Sequence, residues 1–219
     1  MKKIFLALLL VAAFGTAKAQ DYLLDNPDNN SYFGVRVGAD VMSLKSPSPT
    51  AYGNNGGFFV GAIYNIPIFK NLYFEPGIYF FYNSAKIKAI WEFDPGTNLP
   101  TLERSSGKIN DWGLRVPFNF GYHFDLTDRI TVFPYTGPQL NVNLANSVSF
   151  ATNVVPGNNT LHCNVFDLGW NFGVGVTYSR FLLTVGGTVG MTHYVKNPAL
   201  FSGLYARRNL FTIALGYNF

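Results

Sequence analysis

Between Asp111 and His123 the chain alternates without a slip. Trp112, Leu114, Val116, Phe118, Phe120 and Tyr122 are large and apolar, while Asp111, Gly113, Arg115, Pro117, Asn119, Gly121 and His123 are small or polar or break the apolar run. A helix turns once in about 3.6 residues and would scatter both sets around its surface, so only an extended strand keeps them apart. The stretch from Phe166 repeats the pattern, with Phe166, Leu168, Trp170, Phe172, Val174, Val176 and Tyr178 on one face and Asp167, Gly169, Asn171, Gly173, Gly175 and Thr177 on the other. Segments this long and this regular restrict the chain to a sheet with one apolar face.

The same count predicts eight strands, over 31–43, 57–66, 71–82, 110–123, 130–142, 164–178, 181–194 and 207–219. The fifth is the least regular, because Phe133 and Tyr135 share the parity of Gln139 and Asn141 while Pro134 and Pro138 fall among Val132 and Leu140. Connections alternate in length. Those over 44–56, 83–109, 143–163 and 195–206 are long and rich in Pro, Gly, Ser and Asn, whereas Pro67 to Lys70, Phe124 to Arg129 and Ser179-Arg180 are short. Antiparallel neighbours follow, with long loops at one end and tight turns at the other. This asymmetry is that of bacterial outer-membrane barrels, in which an even strand number leaves both termini on the periplasmic side.

Face composition separates a membrane barrel from a soluble one. A polar face in contact with water would carry many Lys, Glu and Gln; here it is mainly Gly, Asn and Thr with isolated charges. The expectation is therefore large apolar residues outward to hydrocarbon and small polar ones inward. Tyr64, Phe74, Tyr122, Tyr178, Tyr217 and Phe219 would form a girdle near the turns, and Phe80, Tyr82, Trp112, Phe166 and Trp170 one near the loops. Only 13% of the 219 residues are charged, about half the share of an ordinary soluble domain. The formal charge of +4 reflects Lys2, Lys3 and Lys18; beyond residue 19, thirteen bases face twelve acids, which excludes a phosphate-binding surface for nucleic acid.

Those three lysines belong to a leader. A basic start, an apolar run from Ile4 to Phe14 and the small-x-small motif Ala17-Lys18-Ala19 before Gln20 form a cleavable secretory signal peptide over 1–19. The run is shorter than the roughly 20 residues a membrane-spanning helix needs. Residues 20–30 would then be a short periplasmic segment and 31–219 the barrel domain. Cys163 is the only cysteine, so no internal disulfide can form. At the other end, Phe211, Ile213, Leu215, Tyr217 and Phe219 stand at spacing two and finish on an aromatic, resembling the signal read by the outer-membrane assembly machinery.

Four segments carry a family likeness: Tyr32-Phe33-Gly34-Val35-Arg36-Val37-Gly38-Ala39, Leu72-Tyr73-Phe74-Glu75-Pro76-Gly77-Ile78-Tyr79, Leu114-Arg115-Val116-Pro117-Phe118 and Gly137-Pro138-Gln139-Leu140. In these the chain resembles the PorT-like outer-membrane β-barrel family, small barrels also described as porin-family proteins. The resemblance implies an eight-stranded barrel, residence in a Gram-negative outer membrane and no enzymatic activity. Some members serve a protein-secretion and gliding apparatus, and no residue here singles out that branch.

Inward parity collects Arg36, Asp40, Glu75, Arg115 and Asp167. With roughly 2.5 Å of height per residue along a tilted strand, Arg36 and Glu75 share a low level and Asp40 and Arg115 a middle one. The expectation is that these ions cross-pair and plug the lumen, since charges removed from water need partners. The alternative is a narrow, ion-selective constriction. Catalysis is not expected: His123 lies near a turn, His162 in a long loop and His193 at outward parity, and none has a nucleophile at a useful spacing. Three scattered histidines and one cysteine supply no metal-ligand pair, and no cofactor is implied. The expected partners are outer-membrane lipid, the assembly machinery and an unidentified extracellular or secretion-system partner. Of the loops, 83–109 is the largest, with Lys86, Lys88, Trp91, Glu92, Asp94, Glu103, Arg104 and Lys108.

Overall fold

A computed structural model describes residues 31–46, 52–88, 90–93, 96, 100–104, 106–150, 162–196 and 206–219. The expected signal peptide over 1–19, the expected periplasmic segment 20–30, Asp94 and the side chains of Trp91, Glu92, Glu103, Arg104 and His162 lie outside the described residues. Eight long strands form one ring: β1 (Tyr32–Lys45), β2 (Asn55–Phe69), β3 (Leu72–Ile87), β4 (Gly107–Tyr122), β5 (Ile130–Phe150), β6 (Phe166–Tyr178), β7 (Phe181–Gly190) and β8 (Arg207–Asn218). Each pairs antiparallel with the next. β8 returns to β1 in unbroken register from Gly34 opposite Asn218 to Lys45 opposite Arg207. The fold is therefore all-β, an eight-stranded antiparallel up-and-down barrel. Among the described residues, no helix is long and apolar enough to cross a membrane.

Alternation sets the outer wall. On β4 from Asp111 onward the exposed or half-buried positions are Trp112, Leu114, Val116, Phe118, Phe120 and Tyr122, and on β6 the exposed positions run from Phe166 to Tyr178 at every second residue. From Trp112 to Tyr122, ten steps of roughly 2.5 Å span about 25 Å, the height of the apolar band of an outer-membrane barrel. The tight end is closed by two-residue turns, with Phe69 opposite Leu72 and Tyr178 opposite Phe181. Lys70 and Ser179 adopt positive φ of 46° and 55°, which lets each chain reverse within two residues.

Strand ends depart from the sequence expectation. β3 continues to Ile87, β4 begins at Gly107 and β5 runs to Phe150, so the barrel wall takes up parts of the long connections expected over 83–109 and 143–163. The remaining loop chain adds short ladders, Tyr52–Gly53 on β3, Ile90–Phe93 with Pro100–Arg104, and His162–Cys163 with Val195–Lys196. β7 is shorter than expected and stops at Gly190, which puts His193 beyond the strand and removes its expected outward parity. Residues 191–195 fold across the barrel's open end, where Tyr194 and Val195 are buried.

The expectation that small polar residues alone fill the interior is corrected. Phe59, Ile63, Tyr73, Tyr79, Phe81 and Phe133 all point inward and are buried. They fit because glycines stand opposite them. A β-carbon at Gly121 would collide with the ring and hydroxyl of Tyr73, and one at Gly175 with the ring of Phe133. Large and small residues thus interdigitate across a lumen too narrow for two large ones at one level.

Candidate functional site

Three levels fill the lumen. At the turn end lies an apolar floor of Tyr73, Phe133 and Leu182. His123 stacks on Tyr73 with ring centroids 4.3 Å apart and meets Phe133 edge-on at 5.7 Å. It follows β4 directly and is buried, and that burial drives its imidazole down from the usual histidine range to about 4, opposed by nearby Asp125. Its neutral form is therefore part of the floor.

Above the floor is an ionic section. The guanidinium of Arg36 on β1 stands 3.6 Å from the carboxylate of Glu75 on β3 and donates to Asn218 Oδ1 at 2.8 Å. Higher up, Arg115 on β4 reaches across to Asp40 on β1 with two prongs, Nη2 to Oδ2 at 2.7 Å and Nη1 to Oδ1 at 3.4 Å, and Thr212 on β8 donates to the same carboxylate at 2.8 Å. Between the two pairs remains a cavity of about 50 Å³ lined by Arg36, Glu75, Arg115, Asn119, Gln139 and Thr184 among others. That is room for one or two waters between polar groups.

The third cluster joins four strands. Arg208 Nη2 on β8 donates to Asp111 Oδ2 on β4 at 2.7 Å and to Asn143 Oδ1 on β5 at 2.8 Å, and stands 3.4 Å from Asp167 on β6. Asn141 and Asn143 donate to the two oxygens of Asp167 at 2.7 and 3.2 Å, and Gln139 donates to Asn141 at 3.1 Å. Phe81 lies between the two upper arginines, 5.2 Å from the Arg115 guanidinium carbon and 5.3 Å from that of Arg208; Tyr194 covers Arg208 from the loop side at 4.0 Å. Aromatic faces replace part of the hydration these cations lose.

Over this cluster sits an apolar cap. Met42, Leu44, Ala85, Ile87, Ile109 and Leu210 from the strand tops pack with Tyr52, Tyr194, Val195 and Ala206 from the loop chain. Cys163 lies against the cap, and its burial there pushes the thiol up, away from thiolate formation. The ionic section is thus enclosed between two apolar layers.

Of the five charged residues picked out by inward parity, Arg36 and Glu75 come together, Asp40 and Arg115 come together, and Asp167 joins a cluster whose other charged members, Asp111 and Arg208, are outside that set of five. Both have inward parity, so a signal existed. They lie at the loop ends of their strands, where sequence does not say whether the strand continues. Phe211, Ile213 and Leu215 are exposed on the outer wall, and Tyr217 and Phe219, in edge-on contact at 5.1 Å, finish the same face.

Two outcomes are expected. Arg208→Leu strands Asp111 and Asp167 without a counter-ion and should cost about 3–5 kcal/mol in urea unfolding from micelles; adding Asp111→Asn and Asp167→Asn should recover most of the loss. For His123, the unfolded chain binds a proton below about 6.5 while the folded one resists until about 4. Stability should therefore fall as pH drops from about 6.5 toward 4, and His123→Phe should flatten that slope.

Three solved structures each align with 87% of this chain. Neisserial surface protein A is 16% identical, covered over 100% of its length, with a TM-score of 0.46. The attachment invasion locus protein Ail of Yersinia pestis, in complex with the heparin analogue sucrose octasulfate, is 10% identical, covered over 99%, at 0.43. The N-terminal β-barrel domain of Pseudomonas aeruginosa OprF is 11% identical, covered over 100%, at 0.34. No curated protein matches. The family model described as outer membrane protein beta-barrel domain matches residues 18–195. With the ring closed and its apolar face outward, the chain belongs to that outer membrane β-barrel family, and its place is the outer membrane.

Proposed function

We propose that this protein is a sealed barrel that anchors four loops at the cell surface, with a structural or interaction role and neither transport nor catalysis of its own. The observation that carries this reading is the stacking of apolar floor, paired ions and apolar cap along one lumen. An ion crossing it would have to part the Tyr73, His123 and Phe133 rings, break charge pairs and then displace Tyr194 and Met42. A narrow channel needs a continuous polar path, and both ends interrupt it.

In this reading residues 1–19 are the cleaved signal peptide, 20–30 a periplasmic segment and 31–219 the barrel. The short turns and both termini face the periplasm and the long loops face outward. The apolar outer face of β8, from Phe211 to Phe219, is the part offered to the assembly machinery. The PorT-like segments around Arg36, Glu75, Arg115 and Gln139 all supply lumen residues, which supports a likeness to that family in the interior of the barrel. A secretion-system role would run through the loops, and unchanged export of cargo in a deletion strain removes it.

The purified barrel in a planar bilayer is expected to show no steady conductance; reproducible single-channel steps would overturn the sealed reading in favour of a pore for small solutes. Deleting Phe219 is expected to lower the fraction of heat-modifiable, folded barrel in the outer membrane several-fold while leaving refolding in micelles intact. Equal assembly of the two chains would remove the terminal signal.

A further inference from the structure

Five of the ladders that close the ring run without a break, namely β8–β1, β1–β2, β5–β6, β6–β7 and β7–β8. The other three are consecutive, and each is interrupted at a proline. The β2–β3 register leaves off at Ile63 opposite Gly77 and resumes at Ile66 opposite Phe74, which passes over Tyr64 and Pro76. The β3–β4 register leaves off at Pro76 opposite Phe118 and resumes at Tyr79 opposite Arg115, which passes over Gly77 and Pro117. The β4–β5 register leaves off at Pro117 opposite Gln139 and resumes at Phe120 opposite Thr136, which passes over Phe118 and Pro138.

Along an antiparallel strand, successive residues direct their N–H and C=O alternately to the two neighbours. Proline has no N–H, so it keeps its place in a ladder only on the side to which it would not have donated, and the carbonyl facing its other side loses a bond. Pro138 stands opposite Trp170 in the unbroken β5–β6 ladder, so its missing donor faces β4. Pro117 stands opposite Gln139 and Pro76 opposite Phe118, so theirs face β3 and β2. The carbonyls of Tyr64, Gly77 and Phe118 are thereby left without a ladder donor. All three lie near the middle of the apolar band, since Pro117 is five steps from both Trp112 and Tyr122, about 12 Å from either edge.

Hydrocarbon cannot supply the missing donors, and irregular backbone at membrane depth is tolerated where it is buried in protein or lines a water-filled cavity. Such a cavity lies directly behind this part of the wall. Glu75, Pro117, Asn119 and Gln139, which flank the breaks, all line the space of about 50 Å³ between the two ion pairs. We infer that this cavity opens sideways into the wall as a hydrated seam: its water hydrogen-bonds the freed carbonyls, and β2, β3, β4 and β5 part along the row of prolines before any other neighbours do. The five unbroken ladders hold the rest of the ring, so the wall flexes at the seam without losing closure. Floor and cap lie at either end of the lumen, and a sideways opening leaves both shut.

Amide hydrogen exchange of the folded barrel in dodecyl maltoside micelles, resolved by residue with NMR, tests the seam. Protection factors at Tyr64, Gly77 and Phe118 are expected to be at least about tenfold lower than at Val37, Gly38, Ala214 and Leu215 on the β8–β1 ladder, the equivalent of one net hydrogen bond. Pro76→Val and Pro138→Val on the outer face, and Pro117→Ala beside the cavity, each return an N–H. Each should raise protection at the residue it faces by about tenfold and leave the β8–β1 amides unchanged. Pro67→Val should change nothing, because Pro67 already keeps its register with Tyr73. Heat-modifiable gel mobility shows which variants fold, and the wild-type pattern alone can refute the seam if none does. Equal protection on both sides of the wild-type barrel overturns it, and so does low protection that persists once the N–H is returned. Magnetisation transfer from water to the Gly77 and Phe118 amides is expected in the wild type, and its absence overturns the hydrated seam. Bilayer conductance is a separate readout, because the seam opens across the wall and not along the lumen.

Discussion

Hydrocarbon offers no hydrogen bonds, so every backbone N–H and C=O inside a bilayer must find its partner within the protein. A sheet meets that demand only when its last strand pairs with its first, and here β8 meets β1 over twelve consecutive residue pairs. Closure at eight strands then fixes the radius. The inward side chains of all eight strands converge on a space a few side chains wide, so each inward choice constrains those opposite. Tyr73 requires glycine at 121, Phe133 requires glycine at 175, and a charge on β1 can reach a partner on β4 across the full diameter.

The same closure makes buried charge tolerable. Three arginines and four carboxylates in the interior would be costly if unpaired. The ring brings Arg115 to Asp40 and Arg208 to Asp111 and Asp167, and Phe81 presents a face to each of those two arginines. Such a network ties β1, β4, β5, β6 and β8 together from inside while the backbone ladder ties them from outside. The result is a barrel wall cross-tied at several levels of its lumen.

Much of this is legible in the residues. The period of two along 110–123 and 164–178 requires strands, and the rhythm of long and short connections orders them. Parity alone puts Arg36, Asp40, Glu75, Arg115 and Asp167 on one face. In the third segment Glu75 inward and Phe74, Phe80 and Tyr82 outward put Tyr73, Tyr79 and Phe81 inward by parity, and what the residues do not say is which glycines across the lumen make room for those rings. Strand ends were illegible for a different reason. Above the membrane the outer face meets water, so Ser84, Lys86, Lys108 and Asn110 read as loop although the ladder between β3 and β4 continues through them.

Alternation is a local property carried by each residue and its neighbours, and so the sequence by itself determined that the chain forms long strands, that one face is apolar and that a few charges lie on the other. Which charges meet is a property of closure. The four-strand cluster around Arg208 and the apolar layers at either end of the lumen depend on the register between strands distant in sequence. Register follows from how large and small side chains fit across a closed ring, and only the tertiary structure settles that fit.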